Sequence, residues 1–242
     1  VAEFVYRPVI VLAKSFFASL GVRLDVVGAE NLPLTGGAVV AINHTSYLDF
    51  AFAGIPADMH GKRMVRFMAK QAVFRHPIGG PLMRGMKHIP VDRAHGAAAY
   101  DEAVRYLREG ELVGVFPEAT MSRSFEIKAC KTGAVRMARE AGVPIVPVIV
   151  FGGQRILWYG HRDFSRGHDV AITVGEQWRP DPTVSDTDQT EVLRARLQVL
   201  LDETLSRYPI PDDLTDAWWL PRRWGGTAPS LEEAESGRET DS

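Results

Sequence analysis

Apolar residues along this chain come in short blocks separated by polar, glycine- and proline-rich joints. Some blocks have strand length and β-branched composition: "VRLDVVG" (22–28), "GAVVAIN" (37–43), "MVRFMAK" (64–70), "KHIPVDR" (87–93), "ELVGV" (111–115), "VPIVPVIVFG" (143–152) and "DVAITVG" (169–175). Others carry the helical period. In "AHGAAAYDEAVRYLREG" (94–110), Ala97, Tyr100, Val104 and Leu107 share one face, and Gly110 is the stop signal. "KTGAVRMAREAG" (131–142) is a second helix, and residues 187–207 a third, through Val192, Leu193, Leu197, Leu200, Leu201 and Leu205. "YLDFAFAGI" (47–55) is a short one that Thr45 or Ser46 can cap and that Pro56 ends.

Strands alternating with helical crossovers predict an α/β fold, with a mainly parallel sheet covered by helices on both faces. An N-terminal amphipathic helix precedes it, giving three parts: residues 1–21, a domain over 22–210, and an arm with a disordered acidic tail over 211–242. The first helix, "FVYRPVIVLAKSFFASLGV" (4–22), is interrupted by Arg7 and Lys14, so it falls short of the ~20 apolar residues of a membrane span. It lacks the small-residue cleavage site of a secretory leader. Phe4, Val9, Ile10, Leu12, Phe16, Phe17 and Leu20 can seat it in a lipid headgroup layer or pack it on its own core; the pattern leaves both open.

Charge sharpens this picture. The net charge of −2 hides a tail, residues 230–242, with five acids and one arginine, while residues 60–95 hold eight Lys/Arg against Asp92. That stretch suits an anionic small molecule, a membrane surface or plain solvation. No nucleic-acid partner is expected. Cys130 is the single cysteine, which excludes an internal disulfide framework or a CxxC metal site. It reads as a structural thiol, and "GHRDFSRGHD" (160–169) as a loop without ligand spacing.

Two segments could carry chemistry, each at the carboxyl end of a strand, where α/β sheets bind their ligands. "NHTSYLDF" (43–50) puts His44 five residues before Asp49. The acid can turn back to fix the imidazole as a base, or it can be a helix-start acid beside an unrelated histidine. "VFPEATMSRS" (115–124) sets Glu118 beyond an apolar strand, with Thr120, Ser122 and Arg123 close behind. Acid, hydroxyl and guanidinium at that spacing suit a polyol phosphate. Lys131 is a further contact for an anionic substrate, or a solvated helix-start lysine.

Taken together, "NHTSYLD", "KHIPVDR", "FPEAT" and "VPIVPV" (143–148) resemble, in order, the four blocks of the bacterial 1-acylglycerol-3-phosphate acyltransferases and the wider glycerolipid acyltransferase family. "VVGAENLP" (26–33) is similar as well. The resemblance implies transfer of a fatty acyl group from acyl-CoA, or a carrier-protein thioester, to the hydroxyl of lysophosphatidic acid or a related lysolipid. No metal or cofactor is implied; acyl-CoA is a co-substrate. By the same resemblance His44 is the base, Asp49 holds its ring, Arg93 grips the acceptor phosphate, and Glu118 and Thr120 orient the glycerol. Backbone N–H groups near Thr45 and Ser46 would serve the oxyanion. Two positions depart from the pattern: Ala119 stands for a glycine, and Met121 for an arginine, so either Arg123 supplies that charge or the acceptor headgroup differs from a simple phosphate.

Glycerol 3-phosphate or another lysolipid as acceptor, a thioesterase using water, and a non-catalytic lipid-binding module are the competing readings. "WWLPRRWGG" (218–226) mixes tryptophan with arginine, as membrane interfaces do, or is an arm packed on the body. With the first helix and the basic stretch it places the protein on the cell membrane, peripheral or monotopic, at the cytoplasmic face.

Overall fold

The computed structural model describes residues 2–77, 79–92 and 96–236, and the side chains from residue 5 onward within them. Helix α1 (Ala2–Ser19) leads to β1 (Arg23–Val27) and β2 (Ala38–Ile42). Then come α2 (Asp49–Ala53), α3 (Ile55–Met59), β3 (Val65–Lys70), α4 (Gln71–Arg75), α5 (Gly79–Gly85) and β4 (Ile89–Val91). Helix α6 (Gly96–Arg108), β5 (Leu112–Val115), α7 (Gly133–Ala141) and β6 (Ile145–Phe151) complete the centre. A small hairpin, β7 (Leu157–Trp158) and β8 (His161–Arg162), precedes β9 (Asp169–Val174), α8 (Asp186–Arg207) and α9 (Leu231–Ser236).

Seven strands form one sheet in the order β1-β9-β6-β2-β5-β3-β4. The five from β6 to β4 run parallel, whereas β9 is antiparallel to β6 and carries β1 parallel to itself. The mainly parallel α/β sheet is thus present, with a reversed pair at one edge. Every residue of β2 is buried, which is why its sequence is a continuous apolar run: both faces are covered. Val39 and Ala41 face a core shared with α6, α7 and α8. Ala38, Val40 and Ile42 face the other core, with Phe17 of α1 and Phe52 of α2. Each valine, isoleucine or phenylalanine among them contributes about 1.5–3 kcal/mol by leaving water.

Helix α1 divides its apolar residues between two environments. Phe17 stacks on Phe52 at 4.3 Å, and the Tyr6 hydroxyl donates to the Val65 carbonyl at 2.7 Å. Val11, Leu12 and Phe16 remain exposed, Leu12 at 71%. Among the described residues no helix is long and apolar enough to cross a membrane.

Several local expectations are corrected. Pro56 does not terminate α2; it lies in the first turn of α3, where its missing N–H costs nothing. Val192 lies 40% exposed while the leucines of α8 are buried. The 160–169 segment holds β8 rather than being loop throughout. Residues 231–236 of the acidic tail form α9, with Ala234 buried; residues 237–242 lie outside the described residues. The tryptophan arm packs on the body. Trp218 lies 5.4 Å from the Trp158 ring and 4.4 Å from that of His161, and Trp219 is buried beside Tyr208 and Phe151. Arg223 pairs with Glu126 and Asp202, and Arg222 with Glu233. Packed aromatic rings flanked by paired arginines suit an internal seam as well as a lipid surface.

Candidate active site

The site begins where β2 ends. Asn43 is fully buried, and its side-chain amide continues the ladder: Oδ1 accepts from the Val150 N–H at 2.7 Å and Nδ2 donates to the Val150 carbonyl at 3.0 Å. A buried amide must find such partners, and these two lock the direction in which the chain leaves the sheet. Sequence reading passed over Asn43. Its signal was an amide closing an otherwise apolar strand.

His44 comes next. Its Nδ1 lies 2.9 Å from Oδ2 of Asp49, which is fully buried. The same oxygen accepts the N–H groups of Thr45 at 2.6 Å and Ser46 at 2.7 Å. Burial pushes the Asp49 carboxyl above its ordinary range, and the His44 ring and the two N–H groups oppose that rise. A carboxylate partner makes Nδ1 the donor, so Nε2 carries the lone pair. The ring is stacked on Phe116 at 4.3 Å, and its side chain is 23% exposed.

Two expectations fail in this turn. Neither Thr45 nor Ser46 caps α2: its N-cap is Leu48, and the Ser46 hydroxyl bridges the Leu48 N–H and the Leu157 carbonyl. The Thr45 and Ser46 N–H groups are committed to Asp49, so they are not oxyanion donors in this arrangement.

Glu118 leaves β5, the strand that pairs with β2 in parallel register. It is buried, and each carboxylate oxygen holds main chain: Oε1 accepts from the His44 N–H at 2.9 Å, and Oε2 from the Lys128 N–H at 3.0 Å. Burial raises its pKa to about 7; those two N–H groups and the charge of Lys128 pull the other way. The Ser122 N–H donates to the His44 carbonyl at 2.7 Å, so both backbone groups of His44 are held by one loop.

In that loop the Lys128 ammonium donates to the Thr120 hydroxyl at 2.6 Å. Arg123 lies over the Tyr159 ring at 5.6 Å, and Lys131 is exposed at the entrance to α7. Arg93 lies outside the described residues. His44, Asp49, Glu118 and Thr120 therefore come together, while Arg123 turns toward an aromatic ring. Besides Asn43, sequence reading overlooked Lys128, whose only signal was a charge between Ile127 and Cys130. Burial raises the Cys130 thiol to about 12, which disfavours a thiolate nucleophile there.

Ala119 occupies the left-handed region at φ +62°, where a Cβ is strained. The resemblance places glycine here for that reason. Ala119→Gly should raise stability by about 0.5–1 kcal/mol after the entropy of a freer unfolded chain is subtracted, or roughly 1–4 °C in Tm. An unchanged or lower melting midpoint would contradict it.

An imidazole held by a buried carboxyl group, at the carboxyl end of a mainly parallel sheet, is an arrangement able to take a proton from a hydroxyl. The chain belongs to the acyltransferase family: the family model described as Acyltransferase matches residues 23–151. The 1-acyl-sn-glycerol-3-phosphate acyltransferase of Bacillus subtilis (strain 168) is 33% identical over 168 residues, covering 68% of this chain and 78% of that protein. The protein of the same name from Borreliella burgdorferi is 30% identical over 139 residues, covering 54% of this chain and 52% of its own. The crystal structure of the 1-acyl-sn-glycerophosphate (LPA) acyltransferase PlsC from Thermotoga maritima superposes with a TM-score of 0.71 at 24% identity. It covers 86% of this chain and 83% of that one, and shows a shared fold.

Proposed function

We propose that this enzyme moves a fatty acyl group from acyl-CoA to the free hydroxyl of 1-acylglycerol 3-phosphate, forming phosphatidic acid. The observation that carries the reading is the His44–Asp49 pair at 2.9 Å, with His44 held on both sides of its backbone. The relatives named for this reaction support the choice of acceptor. His44 Nε2 takes the acceptor proton, and the alkoxide oxygen forms a bond to the thioester carbonyl carbon. The tetrahedral intermediate collapses, the C–S bond breaks, and the thiolate leaves with the proton carried by His44. Asp49 keeps the ring oriented and stabilises its charged form.

The direct test offers the purified protein one acyl-CoA, or the same chain on acyl carrier protein, with lysophosphatidate, glycerol 3-phosphate or a neutral lysolipid as acceptor. Mass-resolved phosphatidate from lysophosphatidate is the expected product. Free fatty acid released at one rate with or without acceptor would instead make it a thioesterase. Arg93 is assigned to the acceptor phosphate on its place in "KHIPVDR". Arg93→Ala should raise the acceptor KM at least 10-fold and leave the donor KM within about 2-fold; equal effects would reassign it.

The reading includes a peripheral seat on the cytoplasmic leaflet, with Val11, Leu12 and Phe16 of α1 in the headgroup layer and Phe164 beside Phe16 at 6.2 Å. Leu12→Glu with Phe16→Glu should abolish flotation with anionic liposomes and leave the melting temperature nearly unchanged. A wild type that stays in solution would refute the membrane seat.

A further inference from the structure

We propose that Phe116 is a positioning residue for the reaction: its ring sets the plane of the His44 imidazole, and with it the line along which Nε2 takes the acceptor proton. The inference rests on His44 as the base and holds for whichever hydroxyl compound is acylated. The hydrogen bond to Asp49 grips the imidazole at one atom, Nδ1. The last torsion of a histidine is broad, so one hydrogen bond leaves the ring plane free to tilt. The lone pair of Nε2 lies in that plane, and a tilt carries it off its target. Phe116 supplies the second restraint: its ring centroid lies 4.3 Å from that of the imidazole, only 27° from parallel.

The sheet explains why a ring stands there. Phe116 follows β5 directly, and β5 pairs with β2, the strand that His44 leaves. Two residues earlier, on the same face of β5, comes Gly114, opposite Phe67 of β3. A Cβ at Gly114 would lie 2.6 Å from Phe67 Cδ1, so the missing side chain is what lets the Phe67 ring lie across the strand. Phe67 is buried, with Phe50 and His88 against it edge-on, and lies 18° from parallel to Phe116 at 6.4 Å. The strand order β2-β5-β3 sets Phe116 between the imidazole and this buried ring. Its flat face is thus braced against the base.

Phe116 also packs against the core that holds Phe52, and that packing alone would affect only stability. Kinetics separate the two roles. Phe116→Leu and Phe116→Met keep apolar bulk and remove the flat face. Each should lower kcat about 10–100-fold per folded molecule, with both substrate KM values within about 2-fold of the wild type. Phe116→Tyr restores a ring and should keep kcat within about 3-fold. Proton NMR gives a second readout, because a phenyl face shields the ring protons of His44, which are assigned by their loss in His44→Ala. They should move downfield in the Leu and Met variants and stay in place in the Tyr variant. Wild-type kcat in a folded Leu or Met variant overturns the proposal, and so does a Tyr variant as slow as the Leu one. Full turnover by His44→Ala would remove the base and this proposal together. An inactive His44→Ala beside a fully active Phe116→Leu removes Phe116 alone.

Discussion

His44→Ala is expected to lower kcat by about 10²–10⁴-fold, the range that a positioned general base contributes. Substrate KM values should change little, because in the proposed role the ring acts on a proton rather than holding headgroup or thioester. The fold should survive. Asp49 keeps the Thr45 and Ser46 N–H groups, and the Asn43 and Glu118 contacts to the main chain do not involve the imidazole. Steady-state assays beside a thermal melt provide the measurement. More than a tenth of wild-type turnover in a folded variant would remove His44 as the base.

Glu118→Ala should act on stability and activity together. It strands the N–H groups of His44 and Lys128 inside the protein, at about 1–3 kcal/mol each. The sum, roughly 2–6 kcal/mol, is a large share of a typical 5–15 kcal/mol. The turnover of whatever remains folded should fall as well, since the strand exit that aims His44 loses its anchor.

Glu118→Gln adds a pH test. The folded-state pKa, about 7, stands above the ordinary 4.5, so the native protein holds this proton more tightly than the unfolded chain does. The stabilisation is complete below about pH 4.5 and is lost as pH rises toward 7. Glutamine does not titrate. Relative to that variant, the wild type should lose about 3 kcal/mol of unfolding free energy between pH 4.5 and pH 8. Urea melts at the two pH values measure it; parallel behaviour would mean that Glu118 binds its proton equally in the folded and unfolded chain.

The strands, their crossovers and the His44–Asp49 pair were legible because each leaves a periodic or spaced trace in sequence. The reversal of β1 and β9 was not, since a strand's direction leaves no mark on its composition. Pro56 was ambiguous for a related reason: proline suits the residue after one helix and the first turn of the next. The tryptophan arm stayed open between two readings, because aromatic rings with arginines mark a lipid interface and a packed seam alike. Most of the partners within the supporting shell were hidden. Asn43, Glu118 and Lys128 act on partners set by folding, Asn43 on Val150 and Glu118 on His44, and nothing local records such distant pairings.

The contact between Glu118 and the His44 N–H joins residues 74 positions apart, across two adjacent strands. The imidazole therefore has no fixed aim until the middle of the sheet has closed. Turnover and completion of the fold should arrive together, and a half-made chain would carry both peptide signatures without being able to squander activated fatty acid on water.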